Sequence, residues 1–347
     1  MASGAGAEDL RAFYRDRRVM ITGGLGFIGS NLAHQLVTLG CSHVLLVDSL
    51  ISEYGGNLFN ISGIDDRVRV NIADVRQQST MNYLVRDIDV IFNLAGQVSH
   101  IDSMQDPYTD LEINCRSQLS LLEACRRYNA NVKVVFAGTR QVYGRPESLP
   151  VTESHLVRPT DVNGINKAAG EYYHLVYNNV FGVRACSLRL TNVYGPRQLL
   201  KHNRQGFIAW FIRQVVENRE IQLYGDGNQL RDFVYVDDAA EAFLRAGASD
   251  ACNGQVLNVG GAEPISLRNL VELLIAVGTS GRYRLVEWPP EKKAIDIGDF
   301  YADSSLIFRT LGWQPRMLLQ EGLTRTIEYY RAHLHHYVTD PSHAVVP

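Results

Sequence analysis

The chain begins with a unit that strongly limits its fold, a short apolar run followed by a glycine-rich turn and a helical pattern. The apolar run covers 19–21, the turn covers 22–29, and Ile28, Leu32 and Leu36 follow at helical spacing. Glycine at 23 permits a tight turn, glycine at 26 lets the backbone approach a pyrophosphate, and glycine at 29 lets the helix pack near the strand. The free N–H groups at the start of the helix favour phosphate. The unit therefore predicts a dinucleotide-binding α/β domain.

An acidic residue follows this unit at the distance that a dinucleotide site requires. A second apolar run, 44–47, ends at Asp48, about twenty residues beyond the glycines. A carboxylate there accepts hydrogen bonds from both adenosine ribose hydroxyls and repels a 2′-phosphate. Asp48 therefore predicts NAD rather than NADP, the alternative being an acid that only ends a strand.

The order of elements predicts a doubly wound parallel sheet of the Rossmann type, with a smaller substrate lobe. Predicted strands are 18–22, 43–48, 67–71, 88–94, 132–137 and 183–190, and long helices are 108–128 and 163–180. Beyond 195 the pattern predicts helices near 206–218 and 237–248, a strand at 255–259 and a helix capped by Ser266. We therefore expect an NAD-binding domain at 12–193 with returning segments near 235–260, a mainly substrate lobe at 194–338, and a tail at 339–347.

Composition excludes several classes of partner. A net charge of −3 and a pI near 6.4 over 347 residues give no polyanion-binding pattern, so no nucleic acid is expected. No apolar run approaches membrane-spanning length, and no signal-peptide core is visible, so no membrane is expected. Five scattered cysteines without a close pair predict reduced thiols in a cytoplasmic protein without a metal site. His100, His202 and the pair 335–336 lack metal-ligand spacing and are interpreted as solvated or structural.

Further motifs occur in a recognisable order. They are the turn at 23–29, Asp48, Asp74-Val75, 93–96, Asn114, 142–144, Lys167, 192–196, 231–238 and 311–313. From about 17 to 333 the chain resembles the extended short-chain dehydrogenases/reductases of the NAD-dependent sugar-nucleotide epimerase/dehydratase group. The resemblance implies a nucleotide-diphosphate sugar as substrate. It also implies a homodimer formed through the helices near 108–128 and 163–180.

The resemblance assigns site residues by position. The cofactor set is Gly23, Gly26, Phe27, Ile28, Gly29, Asp48, Asp74, Val75, Leu94, Ala95, Gly96, Gln97, Asn114 and Lys167. The substrate set is Ser99, Thr139, Arg140, Gln141, Asn192, Gln205, Phe207, Gln222, Tyr224 and Arg231. Thr139 would bind the sugar hydroxyl that is oxidised. Arg231 suits the diphosphate because a guanidinium grips phosphate oxygens bidentately, although it could instead form a surface ion pair with Asp232.

One departure concerns the catalytic group, for which the candidates are Thr139, Tyr143, Asn163 and Lys167. The family's catalytic tyrosine lies four residues before the lysine, but Asn163 stands there and an amide cannot titrate usefully. Positions i and i+4 share a helix face, so Asn163 and Lys167 should still meet. Another group could transfer the proton, namely Tyr143 (unless it is a packed aromatic), Thr139 through water, or the substrate. Alternatively, Asn163 holds a water or a hydroxyl during slow oxidation, or the protein binds both ligands without turnover.

A second departure concerns the reaction type. Family dehydratases carry an acidic pair directly after the threonine, where this chain has Arg140 and Gln141. Epimerisation through a transient keto-sugar, which needs no acid there, is therefore the favoured activity. A dehydratase, or a net dehydrogenase with a relocated base, is the alternative. Arg140 could contact a carboxylate or phosphate of the substrate, or be solvated. An arginine common in relatives is missing near 296–299, so Lys292 or Lys293 could assist Arg231.

Overall fold

The computed structural model describes residues 5–202, 204 and 206–338. The strands are β1 (Arg18–Thr22), β2 (His43–Asp48), β3 (Arg69–Ile72), β4 (Val90–Asn93), β5 (Lys133–Thr139), β6 (Arg184–Leu190), β7 (Asn192–Tyr194), β8 (Glu220–Tyr224), β9 (Leu230–Arg231), β10 (Phe233–Tyr235), β11 (Val256–Val259), β12 (Ile265–Ser266) and β13 (Arg282–Val286). The helices are α1 (Ala5–Tyr14), α2 (Phe27–Thr38), α3 (Gln78–Leu84), α4 (His100–Gln105), α5 (Pro107–Leu111), α6 (Ser117–Tyr128), α7 (Val162–Phe181), α8 (Phe207–Val216), α9 (Val236–Gly247), α10 (Leu267–Gly278), α11 (Pro290–Ala294), α12 (Ser305–Leu311), α13 (Leu319–His333) and α14 (His335–Val338).

The central sheet has seven strands in the order β11-β6-β5-β4-β1-β2-β3, and every pairing in it is parallel. The predicted doubly wound parallel sheet is confirmed. The order reverses beside β1, because β2 lies on one side of it and β4 on the other. Ligands of such sheets bind at the carboxyl ends of the strands near this reversal.

Two cores cover the two faces of the sheet. Successive side chains of a strand point to opposite faces. Val19 and Ile21 pack into the core formed with α1, α2 and α9, whereas Met20 packs into the core formed with α3, α6 and α7. All three side chains are fully buried. Both faces of β1 are therefore covered, which explains its continuous apolar sequence.

The second half of the chain builds its own core over the carboxyl ends of the strands. Helices α8, α10 and α13 pack against β8, with Ile212, Leu223, Leu270 and Leu323 at the centre. The chain returns to the central sheet through β11, which pairs with β6. The predicted lobe boundary near 193 stays a prediction. Among the described residues, no helix has the length and apolar character needed to cross a membrane.

The two long predicted helices take different forms. The 163–180 prediction is met by α7, which Asp161 caps through a 2.7 Å bond from the N–H of Gly164. The 108–128 prediction is interrupted by a π-helical turn at Glu112–Arg116, between α5 and α6. Such turns insert a residue into the helical ladder and shift the side chains around it. The turn carries Asn114 into the buried interior beneath the site described below.

Candidate active site

A cavity of about 750 Å³ runs along the carboxyl ends of the central strands and into the second half of the chain. Most of the predicted site residues line it. They are Gly23, Gly26, Phe27, Ile28, Gly29, Asp48, Asp74, Val75, Leu94, Ala95, Gly96, Thr139, Arg140, Gln141, Asn163, Lys167, Asn192, Phe207, Gln222, Tyr224 and Arg231. Gln97, Ser99, Asn114 and Tyr143 do not line it, and Gln205 lies outside the described residues.

The glycine turn has a shape that side chains would obstruct. Gly23 has a φ of 68°, in the left-handed region that glycine favours. A Cβ on Gly29 would lie 2.2 Å from the carbonyl oxygen of Gly23. Among the described residues no side chain caps the first turn of α2, which leaves its N–H groups for a ligand. This cradle fits a pyrophosphate, because unpaired N–H groups and the positive end of the helix dipole meet there.

The carboxylate of Asp48 is held in place at the end of β2. Its Oδ2 accepts a 3.0 Å bond from the N–H of Leu25, and its Oδ1 accepts a 2.8 Å bond from the N–H of Leu50. Burial raises the pKa of Asp48, and the two backbone donors oppose that rise. A carboxylate fixed in this way presents its remaining lone pairs to the cavity, which fits the hydroxyls of a ribose.

Lys167 and Asn163 lie together in the cavity wall, as their spacing on α7 predicts. The Lys167 ammonium donates a 3.2 Å bond to the carbonyl of Ala137, and burial lowers its pKa to about 8. The amide nitrogen of Asn163 contacts the carbonyl of Gln97 at 2.8 Å, Oδ2 of Asp110 at 3.0 Å and Oε1 of Gln97 at 3.2 Å. The nitrogen of this amide is therefore committed to the protein.

Beneath the wall lies a buried carboxylate that three asparagines share. Asp110 is 1% exposed. Its Oδ2 accepts 3.0 Å bonds from Asn114 and Asn163, and its Oδ1 accepts a 2.8 Å bond from Asn166. Because a buried carboxylate is costly unless its lone pairs are satisfied, Asn163 serves this network as one of its donors.

Three residues that were predicted to bind ligands instead form hydrogen bonds beneath the surface of the cavity. Asn114 donates a 2.8 Å bond to the carbonyl of Gln97. The Gln97 side chain turns to the carbonyl of Ser99, and the Ser99 hydroxyl caps α4 through the N–H of Asp102. All three are nearly fully buried, so the structure gives them positioning contacts rather than contacts with the cavity.

The structure also places Tyr143 outside the cavity, contrary to its prediction as a catalytic candidate. Its ring is fully buried, and its hydroxyl donates a 2.7 Å bond to Oδ1 of Asn258. Burial raises the pKa of Tyr143 to about 12. The alternative interpretation, a packed aromatic, therefore describes this residue. Thr139 does line the cavity, and its hydroxyl oxygen accepts a bond from the N–H of Gln141.

Two arginines meet at the opposite end of the cavity. Arg231 is 6% exposed, donates to the carbonyls of Leu230 and Gly298, and has a guanidinium nitrogen 3.7 Å from Asp296. Burial lowers the pKa of Arg231. Residues 296–298 therefore contact Arg231, and the surface ion-pair interpretation is wrong because Arg231 is buried. Its Nε has no hydrogen-bond partner among the described residues.

The hydrogen-bond acceptors of Arg140 are amides, whereas Asp232, Asp161 and Asp296 act on it through charge alone. It donates to Oδ1 of Asn192 at 3.2 Å and to Oε1 of Gln141 at 3.4 Å. Burial lowers the pKa of Arg140 to about 9, and the charge of Arg231 acts in the same direction. Two cations that repel each other in a buried place favour an anionic ligand between them.

Aromatic residues complete this end. Tyr224 and Trp288 lie with ring centroids 5.4 Å apart, and the Lys292 ammonium donates a 3.0 Å bond to the Tyr224 hydroxyl. All three line the cavity together with Gln222 and Phe207. Flat rings beside a polar amide suit a nucleobase. Trp288 was not predicted, because nothing in its local sequence marks it as part of the site.

The sequence suggests that His100 is solvated or structural, and it also suggests that His100 and Asp102 face the sugar. His100 lines the cavity, and its Nδ1 lies 3.0 Å from Oδ2 of Asp161. Asp161 was not singled out, although its position three residues before Gly164 is a helix-capping signal. Within the described ranges, no group of three or more histidine, cysteine or acidic side chains could hold a metal ion.

The family assignment follows from comparison with known proteins. A model of the NAD-dependent epimerase/dehydratase family matches residues 19–260. The chain belongs to this family. The UDP-glucose 4-epimerase of Mycolicibacterium smegmatis is 33% identical over 318 residues, covering 90% of this chain and 98% of that protein.

Solved structures agree with the family and the fold. The UDP-glucose 4-epimerase of Thermus thermophilus in complex with NAD has a TM-score of 0.80 and 32% identity, covering 90% of this chain and 99% of that one. The UDP-N-acetylglucosamine 4-epimerase of Methanobrevibacter ruminantium, in complex with UDP-N-acetylmuramic acid, has a TM-score of 0.85 and 28% identity, covering 92% and 99%. NAD is the cofactor of this family, and the glycine turn and Asp48 form a cradle that fits it.

Proposed function

We propose that this chain epimerises one carbon of the sugar of a nucleotide-diphosphate sugar through a transient keto-sugar. One observation carries the proposal: a single cavity joins the cradle for NAD to the arginine and aromatic end, with Thr139 and Lys167 between them. The relatives named above act on UDP-sugars, which fits this arrangement. The two residues after Thr139 are Arg140 and Gln141, and neither is the carboxylate expected of a dehydratase at this place.

Each group of the site has a place in this reaction. When bound, NAD supplies reversible two-electron chemistry at the sugar carbon. The glycine turn and Asp48 hold the cofactor, and Lys167 holds the ribose next to the reacting carbon. Thr139 hydrogen-bonds the hydroxyl that becomes the carbonyl. Arg231 and Asn192 bind the diphosphate, so the sugar can turn while its nucleotide stays fixed.

A non-catalytic NAD and sugar-nucleotide binding protein is the second candidate. The observation that favours it is the amide of Asn163, whose nitrogen is directed to Gln97 and Asp110 rather than to the cavity. In this case both ligands bind, but no group at position 163 removes a proton. Turnover by the purified protein distinguishes the two candidates.

The test incubates the NAD-loaded protein with uridine, thymidine, guanosine and cytidine diphosphate sugars and analyses the products by chromatography and mass spectrometry. Epimerisation gives a product of unchanged mass without accumulation of NADH. A product lighter by one water indicates a dehydratase, and NADH formed in proportion to product indicates a net dehydrogenase. Tight binding of a sugar nucleotide without any product would overturn the enzymatic proposal.

The diphosphate end is tested separately by Arg231→Gln. Removing one partner of a buried charged contact costs about 2–5 kcal/mol, so affinity for the sugar nucleotide should fall by roughly 30-fold to 4,000-fold. NAD affinity should stay at the level of the parent. The matched control is Arg309→Gln, because Arg309 is exposed on α12 and donates a hydrogen bond to the Ser305 hydroxyl. Equal sugar-nucleotide affinity in both variants would contradict the assignment of Arg231.

We also propose that the protein is a homodimer through α5 and α7. Ile165, Tyr172, Val176 and Val180 follow one face of α7 and are each about half exposed or more, and Tyr108 on α5 is 79% exposed. A contiguous apolar surface of this kind favours a protein interface. Light scattering at micromolar concentration should report a dimer for the parent and a monomer for Val176→Glu. A monomeric parent would remove this proposal.

The cysteines agree with the proposed cytoplasmic location. All five are free thiols, including Cys186 and Cys252, whose sulfur atoms lie 3.5 Å apart. A reducing compartment keeps such thiols reduced. Fractionation of the producing cells tests this, and recovery from an oxidising compartment would contradict it.

A further inference from the structure

We infer that His100 is the acid/base group of this protein and that Asp161 positions it, an inference that rests on the proposed function. The position that carries the family tyrosine holds a non-titrating amide whose nitrogen is engaged elsewhere. Oxidation of a hydroxyl still requires a group that accepts its proton. Such a group must line the sugar side of the cavity and have an unoccupied basic atom.

The first support is the geometry of the pair formed by His100 and Asp161. Nδ1 of His100 lies 3.0 Å from Oδ2 of Asp161. The Asp161 side chain is fully buried, whereas the imidazole is 34% exposed and lines the cavity. The carboxylate thus lies behind the ring at ion-pair distance, although the contact between Nδ1 and Oδ2 lacks the alignment of a hydrogen bond. A carboxylate at this distance favours the tautomer with its proton on Nδ1, which leaves Nε2 to accept a proton.

The second support is the way in which Asp161 itself is fixed. Its Oδ1 accepts a 2.7 Å bond from the N–H of Gly164, and its Oδ2 also accepts a 3.1 Å bond from Nε2 of Gln141. Burial alone would raise the pKa of Asp161, but the contact with His100 and the other contacts outweigh burial and lower it. The carboxylate therefore stays ionised behind the ring. An ionised carboxylate can orient the imidazole and stabilise the imidazolium that forms when the ring accepts a proton.

The third support is the connection of the pair to Thr139, the residue predicted to bind the reacting hydroxyl. Asp161 caps α7 two residues before Asn163, so the ring lies beside the start of the helix on which the family places its tyrosine. Gln141 connects the pair to Thr139, because its backbone N–H donates to the Thr139 hydroxyl while its side chain holds Asp161. Lys167 and Arg140 are also titratable groups of the cavity lining, and Arg140, with a pKa of about 9, is a cation at neutral pH.

The proposed step is balanced without a further reactant. The O–H bond of the sugar hydroxyl breaks and its proton moves to Nε2 of His100, while the carbon gives its hydrogen with the electron pair to NAD and a C=O bond forms. After the keto-sugar turns, the electron pair and hydrogen return to the other face, and Nε2 returns the proton to the same oxygen. No net oxidant is needed.

The experiment compares two His100 variants with the parent. Asparagine at 100 can keep a donor toward Asp161 but lacks the second ring nitrogen, so His100→Asn should lose about 100-fold to 10,000-fold in kcat. Affinities for NAD and for UDP-glucose should be unchanged. His100→Gly should regain turnover when free imidazole is added. His43→Asn is the matched control, because His43 is exposed at the start of β2.

A second measurement does not depend on turnover. Nitrogen NMR of the parent should show His100 protonated at Nδ1, and Asp161→Asn, which keeps a helix-capping oxygen, should abolish that preference and lower kcat. If the parent is active and His100→Asn keeps full turnover, the role of His100 is wrong but the proposed function stands. If the parent is inactive, the proposed function is wrong as well. A ring protonated at Nε2 in the parent, or loss of turnover that imidazole does not restore, would also overturn the inference.

Discussion

At the Asp48 end of the cavity, the contacts come from backbone groups and one carboxylate that backbone N–H groups hold. At the Arg231 end they come from buried side chains, including two arginines whose pKa values burial lowers, and these are held partly by one another and partly by backbone carbonyls. A backbone cradle is fixed by the fold and has one shape. A set of paired side chains can change its charge and partners through single substitutions. The difference indicates that the cofactor end is fixed by geometry, and that the specificity of the protein resides in the second end.

The largest expected effect is at the cofactor end. Gly29→Val places a side chain where a Cβ alone already lies 2.2 Å from the Gly23 carbonyl oxygen, so the turn and α2 must separate. Calorimetric titration should show no measurable NAD binding. Thr38→Ala, on the exposed side of the same helix, should bind NAD as the parent does. Normal NAD affinity in Gly29→Val would contradict the view that the cofactor end has one fixed shape, because the cradle would then tolerate an added side chain.

The next effect is at the charged end and depends on pH. Burial raises the pKa of Asp232 to about 6. Because this lies above its value in the unfolded chain, the folded state binds more protons between about pH 4 and 6, and stability falls as pH rises through that window. Asparagine does not titrate, so Asp232→Asn should not lose stability in this window as the parent does. The free energy of unfolding of the variant minus that of the parent should therefore rise by roughly 3 kcal/mol from pH 4 to 7.

Urea unfolding at several pH values measures this difference. Asp65→Asn is the control, because Asp65 is exposed. A difference between Asp232→Asn and the parent that does not change with pH would show that the carboxylate is not destabilised by its surroundings, and the contrast between the two ends would weaken.

Between the two ends, Asn163→Ala should affect stability. It removes a donor from the Gln97 carbonyl and from the buried Asp110 carboxylate, and an unsatisfied buried group costs about 1–3 kcal/mol. Thermal or urea unfolding should show that loss, whereas Asn179→Ala on the exposed side of α7 should show little change. Unchanged stability in Asn163→Ala would mean that this amide has no structural role.

The smallest effect concerns cofactor choice. Asp48→Asn removes the charge that repels a 2′-phosphate and disturbs one of the two backbone contacts. The ratio of NAD affinity to NADP affinity should fall by about tenfold, or about 1.4 kcal/mol, as measured by titration with both cofactors. Asp66→Asn, an exposed substitution, serves as the control. An unchanged ratio would mean that another group selects the cofactor.

The sequence predicts the parallel sheet, and most of the site residues that it predicts do line the cavity, because those features depend on local patterns. The glycine turn, the strand before Asp48 and the spacing of Asn163 and Lys167 each lie within one element and its neighbours. The contact of Asn163 with Asp110 joins residues that are 53 positions apart, and no local pattern indicates it. The π-helical turn that buries Asn114 has no recognised sequence signal either.

The contact between His100 and Asp161 could not be predicted for the same physical reason. A histidine has no preferred sequence context, and its chemistry depends on which group faces Nδ1. That group is Asp161, which follows β5 in the sequence, whereas His100 precedes β5. The two side chains meet because α4 packs against α7. Tyr143 gives the opposite case, since a motif position suggested chemistry and the structure directs its hydroxyl to Asn258.

The amide network around Asp110 has a consequence for any change at position 163. Asn163→Tyr would in one step take the donor away from the Gln97 carbonyl, the Gln97 side chain and Asp110. A phenol at this position therefore requires further substitutions that supply new donors to these buried oxygens.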